Sequence, residues 1–400
     1  MIFNVIANVK NYLHCSYLVL MQTMVLKIIL YIVIILVPNI AICQSYENQM
    51  LAGIDVGGKS AKLTIVKQIN GKFTTLLDSN IVTNVTDFTP HVIENTVIIV
   101  TALYNIAALY YNVQRNNIYI VLSSGVVNIA TATKNRAIIN GLEIKLEAKI
   151  PNLINKVQAI SSQQESMFTF LGQIPKEAQK NVCSLNIGSS NTIFGNLANE
   201  NNLLYRSFFY NVGTKVLTNT VGMYYDSVKT LSEYARLVSI TANAICNSYY
   251  KKEQFLSTGF ESKNKVILNG GICWALINII YPNNFEDDEI TLKIDDLDNF
   301  INNIKNKNLK KGELKTVIES KNLNKLKLIK FNKLLNDINK VYNERSIIAG
   351  AFYLKQLLTD LKLLNPQLIF NFIRDSNNAW IKGFLMYGSS GKNNEIQLAN

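Results

Sequence analysis

The sequence predicts an α/β protein built from two related domains, and three features carry that expectation. The chain has 400 residues, enough for two domains of ordinary size. A hydrophobic fraction of 48% against 17% charged residues belongs to a chain that buries a core. Finally, a strand–glycine turn–strand unit occurs twice, and each copy opens a similar run of strands and helices.

The amino terminus reads as an address. Lys27 precedes the unbroken apolar run Ile28–Val37, Pro38 ends it, and Ala41 and Cys43 place small residues at the −3 and −1 positions of a cleavage site. This charged, apolar, small-residue order is that of a secretory signal peptide, here residues 1–43. The run is shorter than the roughly 20 apolar residues of a spanning helix. Tyr17–Leu20 and Met24–Leu26 add apolar length, so an uncleaved membrane anchor stays open beside export to the periplasm or cell envelope. Ile42 is too large for the residue before a lipidated cysteine.

The first copy of the repeated unit runs Ala52-Gly53-Ile54-Asp55-Val56-Gly57-Gly58-Lys59-Ser60-Ala61-Lys62-Leu63, and Asn70-Gly71 marks a hairpin into Lys72–Leu77. The second runs Val182-Cys183-Ser184-Leu185-Asn186-Ile187-Gly188-Ser189-Ser190-Asn191-Thr192, with a polar turn at Ala198–Asn202 before Leu203–Tyr210. At one constant offset Asp55 matches Asn186, Gly57 matches Gly188 and Ser60 matches Asn191. Glycine lets backbone approach a ligand closely, and a tight turn aims several N–H groups at one point. Two such hairpins facing each other would grip a phosphate chain from both sides; a duplicated hairpin without a ligand is the plainer alternative.

The remaining elements follow in order. Strands are expected over 51–80, a helix over 88–114, a strand over 117–122 and a helix over 152–158. Strands follow over 182–210, helices over 214–221 and 227–250, a strand over 265–269, helices from 271 onward and a last helix near 380–386. The domains are expected at 51–178 and 179–375, divided near Pro175, with 376–400 as a terminal segment.

The formal charge of +12 favours polyanions such as polyphosphate, although a lysine-rich solvated surface explains it as well. Lys305, Lys307, Lys310, Lys311, Lys315, Lys321, Lys325, Lys327, Lys330 and Lys333 form a basic tract that reads first as an amphipathic helix pair. Cys15, Cys43, Cys183, Cys246 and Cys273 contain no CxxC pair, which argues against zinc; after cleavage three remain, a number that suits buried thiols. His14 and His91 lie outside every motif, which disfavours a Ser-His-Asp triad and a His-rich metal site. Glu286–Glu289 and Asp295–Asp298 lack the calcium-loop glycine and spacing, and read as a solvated loop and a helix start. Tyr104 and Tyr111, two helical turns apart, read as core.

The duplicated turn resembles the two phosphate loops of the actin, heat-shock chaperone and sugar-kinase superfamily. Four further stretches are similar to the exopolyphosphatase and guanosine pentaphosphate phosphohydrolase family: Asn117–Asn128, Ile160–Gly172, Val266–Ile272, and Glu344-Arg345 with Gly350-Ala351. Ile160–Gly172, which follows the family's Ile-Ser-Gly-x-Glu-Glu-Ala-Arg pattern, is the most specific. The resemblance covers about residues 51–390, without the C-terminal HD-type domain of longer members. It implies two duplicated actin-like (ribonuclease H-like) domains around a phosphate-binding cleft, with residues 376–400 returning to the first.

It also implies a chemistry. Glu165 matches the family's catalytic glutamate, which orients and deprotonates water, and Asp55 matches the acid near magnesium and phosphate. Gly57, Gly58, Lys59, Ser60 and Lys62, with Gly188, Ser189, Ser190 and Asn191, match the phosphate cradle. Several positions depart: Asn186 replaces the second acid, Lys59 a preferred Asn, Ile272 a usual Thr, the helix-start Arg is missing near Val127-Asn128, and Ser376–Gly383 keeps only the frame of a charged segment. The resemblance therefore leaves two readings: an exported phosphoanhydride phosphohydrolase, or a pseudoenzyme that binds a polyanion or envelope partner. The implied partners are polyphosphate or another phosphorylated polyanion and no specific nucleic acid, with membrane contact only through the N-terminal segment. A homodimer is compatible with either reading.

Overall fold

A computed structural model of the chain describes residues 49–69, 72–199, 204–224, 230–249, 259–307, 309–310, 312–314, 323–374, 378–389 and 397–398. The expected signal segment 1–43, the Asn70-Gly71 turn, Ser376-Asn377, and Lys311, Lys315 and Lys321 lie outside the described residues. Among the described residues, 51–66 and those from 75 onward belong to one compact unit, and 49–50, 67–69 and 72–74 belong to another. In the latter, Gln68 N–H donates to the Gln49 carbonyl at 3.0 Å.

Two sheets share one plan. Strands β1 (Met50–Val56), β2 (Ser60–Ile69), β3 (Lys72–Val82), β4 (Ile118–Leu122) and β5 (Gln158–Ala159) lie in the order β3-β2-β1-β4-β5. Strands β6 (Val182–Ile187), β7 (Thr192–Asn199), β8 (Leu204–Tyr210), β9 (Lys265–Asn269), β10 (Glu289–Leu292), β11 (Ile369–Ile373) and β12 (Gln397–Leu398) lie in the order β10-β11-β9-β6-β7-β8-β12. Around β1 and around β6 the neighbours repeat: the two following strands on one side, parallel strands on the other. β1 runs parallel to β4 with Asp55 opposite Val121, and β6 runs parallel to β9 with Asn186 opposite Asn269. β4–β5 and β9–β11 are parallel as well. The duplication visible in the turns therefore extends to strand order. Parallel neighbours require crossover connections, and helices supply them.

In the first half these are α1 (Pro90–Asn105), α2 (Ser124–Ala132), α3 (Arg136–Lys149) and α4 (Ser162–Gln173). Helix α1 starts where Thr89 accepts the Val92 N–H, with Pro90 in the first turn. Residues Pro90–Tyr110 are long and apolar enough to cross a membrane, but Ile93, Val97, Val100, Leu103 and Tyr104 are buried in the protein. Tyr104 is core as expected, whereas Tyr111 is half-buried and packs edge-on against Tyr110.

The helix expected over 152–158 is absent. Asn152 takes a left-handed φ of 63°, which ends regular helix, and Asn155 Nδ2 donates to the carbonyls of Asn116 and Ile118, both at 2.9 Å. The helical signal belongs instead to α3, upstream of Pro151.

The second half contains α5 (Thr214–Tyr224), α6 (Leu231–Tyr249), α7 (Gly271–Ile280), α8 (Ile294–Asn306), α9 (Lys325–Val341) and α10 (Glu344–Leu364) around a core that includes Phe194, Phe260, Leu276 and Tyr353. The stretch after 271 is not all helical, because β10 and β11 interrupt it. Both are short, and β10 alternates exposed and buried residues, a period of two that a helical reading overlooks. Cys183, Cys246 and Cys273 are free and buried. The acidic runs behave as surface: Glu286 pairs with Lys330 at 2.6 Å, Asp298 pairs with Lys355, and Asp295 and Asp296 occupy the first turn of α8. Glu344 accepts the N–H groups of Gly312 and Leu314, at 2.6 and 2.8 Å, and the Arg345 guanidinium lies 5.2 Å from the Tyr234 ring centre, so both serve packing.

Helix α11 (Ala379–Gly383) lies directly on α4. A Cβ on Gly172 would sit 2.1 Å from the Ala379 carbonyl oxygen, and one on Gly383 would sit 1.9 Å from that of Phe168. Only glycine permits this backbone approach, and it delivers Trp380 beside Asp55.

Candidate functional site

The two turns are built alike. Gly57 N–H donates to the Ser60 carbonyl at 2.9 Å, and Gly188 N–H donates to the Asn191 carbonyl at 2.8 Å. They also meet: a Cβ on Gly58 would lie 2.9 Å from Ser189 Oγ and 3.2 Å from Ser190 Oγ. Asn191 Nδ2 donates to Ser124 Oγ at 3.0 Å in a buried bond that ties the second turn to the start of α2. Lys215 in α5 reaches Thr86 Oγ1 at 3.1 Å and Asp87 Oδ1 at 2.7 Å, a second link between the halves.

These elements surround a cavity of about 810 Å³. Of the residues singled out from sequence, Asp55, Gly57, Gly58, Lys59, Ser60, Lys62, Glu165, Asn186, Gly188, Ser189 and Asn191 all line it. Ser190 does not; it is buried between Gly58 and Gly125 and serves the packing of the turns. Ile272 also lies outside the lining. It is buried against Gly350, so Gly270 and Gly271 alone represent the late turn in the cavity. The cavity also holds Asp78, Trp274, Tyr342 and Trp380, to which the sequence reading gives no role.

Glu165 stands in the first turn of α4. Ser161 Oγ accepts the Gln164 N–H at 3.2 Å, and Gln164 Oε1 accepts the Ser161 N–H at 3.0 Å, a reciprocal cap that fixes this helix start. Glu165 Oε2 accepts the Ser124 N–H at 2.8 Å. Burial pushes its pKa above the usual carboxylate range, opposed by the Ser124 hydrogen bonds and by Lys62. Asn128 Nδ2 donates to Ser162 Oγ at 2.8 Å, so the position near the missing family arginine braces the same helix start.

Asp55 ends β1. Its Oδ2 accepts the Trp380 Nε1–H at 3.1 Å and lies 3.9 Å from Lys62 Nζ, while its Oδ1 is buried without a partner. Burial raises its pKa to about 7; Lys62 and Trp380 act against that rise, and Glu165 adds to it. Asp78 is raised by burial as well, and it accepts from Thr64 Oγ1 at 3.2 Å and from Asn378. Lys62 therefore sits among three carboxylates. Lys59 is pulled down to about 8, first by burial and then by Lys215, and its Nζ lies 4.7 Å from the Tyr342 ring centre.

Among the described residues no three His, Cys, Asp or Glu side chains converge as a metal cluster. Magnesium commonly takes one or two carboxylates and fills its remaining positions with water and substrate phosphate. The unpartnered Asp55 Oδ1 at the cavity wall fits that pattern, and the neutral Asn186 adds no second charge to it.

The duplicated sheets give the two-domain actin-like fold. Within that class the fold is that of solved Ppx/GppA structures. A Ppx/GppA family member from Aquifex aeolicus superposes with a TM-score of 0.56 at 14% identity, over 86% of this chain and 99% of its own. An exopolyphosphatase-like protein gives 0.60 at 12% identity, over 85% and 97%. An exopolyphosphatase from Cytophaga hutchinsonii gives 0.53 at 13% identity, over 86% and 98%. No family model and no curated protein sequence matches the chain.

Proposed function

We propose that the chain is an exported phosphoanhydride phosphohydrolase of the exopolyphosphatase type, with Glu165 as its general base. The observation that carries this reading is Glu165 itself. It is a buried carboxylate, pinned by the Ser124 N–H at 2.8 Å and facing the cavity that both turns line. In this reading the turn backbones, Ser60, Ser189, Asn191 and Lys62 hold the phosphate chain. Water attacks the terminal phosphorus, Glu165 takes the proton, and the anhydride P–O bond breaks to release orthophosphate and a chain one unit shorter. Asp55 would hold magnesium, which supplies neutralisation of phosphate charge when bound. Burial raises the pKa of Glu165, which strengthens it as a proton acceptor.

A second reading is favoured by Asn186, a neutral amide at the position of the family's second acid. It is a polyanion- or partner-binding protein that keeps the cradle without turnover. Phosphate release from polyphosphate with magnesium separates the two. Release that Glu165→Gln abolishes supports the hydrolase. A silent parent that Asn186→Asp makes active supports the binding protein.

Export rests on Lys27, Ile28–Val37 and the Ala41/Cys43 site. Recovery of the chain, trimmed to Gln44, outside the cytoplasm would support it; full-length chain in the membrane fraction would favour the anchor.

A further inference from the structure

The half-buried Lys59 and Lys215 next to the first turn, with the exposed Lys340 at the rim, have a chemistry that orthophosphate release leaves unused. A side cavity of about 230 Å³ adjoins the main one and shares Lys59, Val82, Lys340 and Val341 with it. Its other lining is polar, from Asn84, Lys215, Thr218, Asn219, Asn343 and Ser346. The turn is fixed here, because the Lys59 carbonyl accepts the N–H groups of Thr83 at 2.9 Å and Asn84 at 3.0 Å. Lys59 borders both cavities.

Lys59 has no carboxylate partner among the described residues. Its ammonium rests on the Tyr342 face, and the charge of Lys215, another cation, acts on it. Lys215 does have Asp87 at 2.7 Å, and Lys340 at the rim has Asp337 at 2.7 Å. Both carboxylates are about half exposed, with side-chain exposures of 48% and 46%, which weakens them as counter-charges. A half-buried ammonium without a carboxylate partner is unfavourable unless an anion completes it. Lys215 is also coupled to the second turn, since its N–H donates to the Ser189 carbonyl at 2.8 Å.

We infer that Lys59, which rests on Tyr342, forms with Lys215 and Lys340 a second anion subsite, which takes a phosphate group of a linear polyphosphate other than the one attacked at Glu165. This rests on the phosphohydrolase reading and deepens it: the preferred ligand is a chain that fills both cavities at once. Tripolyphosphate therefore gains from Lys59, and orthophosphate, held in the cradle alone, does not. The added charge contacts act together with the backbone cradle as linked binding events.

The test is calorimetric titration of tripolyphosphate and of orthophosphate into the full chain, as parent, Lys59→Met and Lys215→Met, each checked for cooperative melting. Lys59→Met is expected to weaken tripolyphosphate by about tenfold or more and orthophosphate by less than about threefold. Lys215→Met, on a different element, is expected to move the same ratio in the same direction. Equal weakening of both anions, or an unchanged ratio in both variants, overturns the subsite while leaving the hydrolase reading in place. A parent that binds neither anion overturns both.

Discussion

Replacing Asp55 by Asn in metal-free protein exposes the physics of the site most clearly. Asp55 is 3% exposed, its Oδ1 has no partner, and its pKa rises from 3.8 to about 7 because burial outweighs Lys62 and Trp380. A raised carboxylate pKa means that the folded state prefers the protonated form. Its favourable contribution is complete below the unfolded value of 3.8 and is lost as pH climbs through about 7. Converted at about 1.4 kcal/mol per pH unit, the ionised carboxylate burdens the fold by roughly 4 kcal/mol above neutrality, and by little near pH 4. Asn keeps an oxygen for the Trp380 N–H and carries no charge. Asp55→Asn is therefore expected to be the more stable protein near pH 8, by about 2–4 kcal/mol, with the gap closing toward pH 4. Denaturant unfolding in chelator at both pH values measures it. The same variant is expected to lose magnesium-dependent phosphate release. An Asn variant that is equally or less stable near pH 8 would refute the view of Asp55 as an uncompensated buried charge held for function.

Other expectations follow from single contacts. Trp380→Phe removes the indole N–H that favours the Asp55 carboxylate, so the alkaline-rising limb of any activity profile is expected to move to higher pH; an unmoved limb would separate Trp380 from Asp55. Gly172→Ala places a Cβ 2.1 Å from the Ala379 carbonyl oxygen, against backbone that cannot swing aside. It is expected to cost about 2–4 kcal/mol in denaturant unfolding and to detach α11 from α4, which indole fluorescence of Trp380 would report. Asn191→Ala removes the buried bond to Ser124 Oγ and is expected to lower stability by about 1–2 kcal/mol. Ser161→Ala loses the cap ahead of Glu165, at about 1 kcal/mol in the same assay.

Much of this site is local in sequence and could be read there. A turn of Gly57 to Ser60 fixes its own hydrogen bond, and Gly188 to Asn191 repeats it, so composition and spacing sufficed. Glu165 was legible because Ile160–Gly172 follows the family's Ile-Ser-Gly-x-Glu-Glu-Ala-Arg pattern, and the Ser161–Gln164 cap fixes the helix start just before it. The rest depends on chain folding across long separations. Trp380 meets Asp55 from 325 residues away, through a glycine-to-glycine contact that no local pattern encodes. Asp78 sits on a strand of otherwise ordinary alternation, and Thr64, Asn378 and Lys62 give it meaning. The missing helix at 152–158 and the overlooked β10 and β11 share a cause, since short segments carry weak periodicity and Asn155 is placed by its bonds to Asn116 and Ile118. Ile272 shows the opposite error: a departure from the family pattern reads as lost chemistry, yet its side chain belongs to the core beside Gly350.

The central claim is that both turns hold a phosphate chain while Glu165 handles only the proton. Its most direct test is tripolyphosphate binding and orthophosphate release measured side by side, with magnesium, on the parent and on Glu165→Gln. The neutral, near-isosteric amide is expected to bind within about threefold of the parent and to lose about a hundredfold or more in release rate. Release that persists in Glu165→Gln, or binding that disappears with it, would contradict that division of labour.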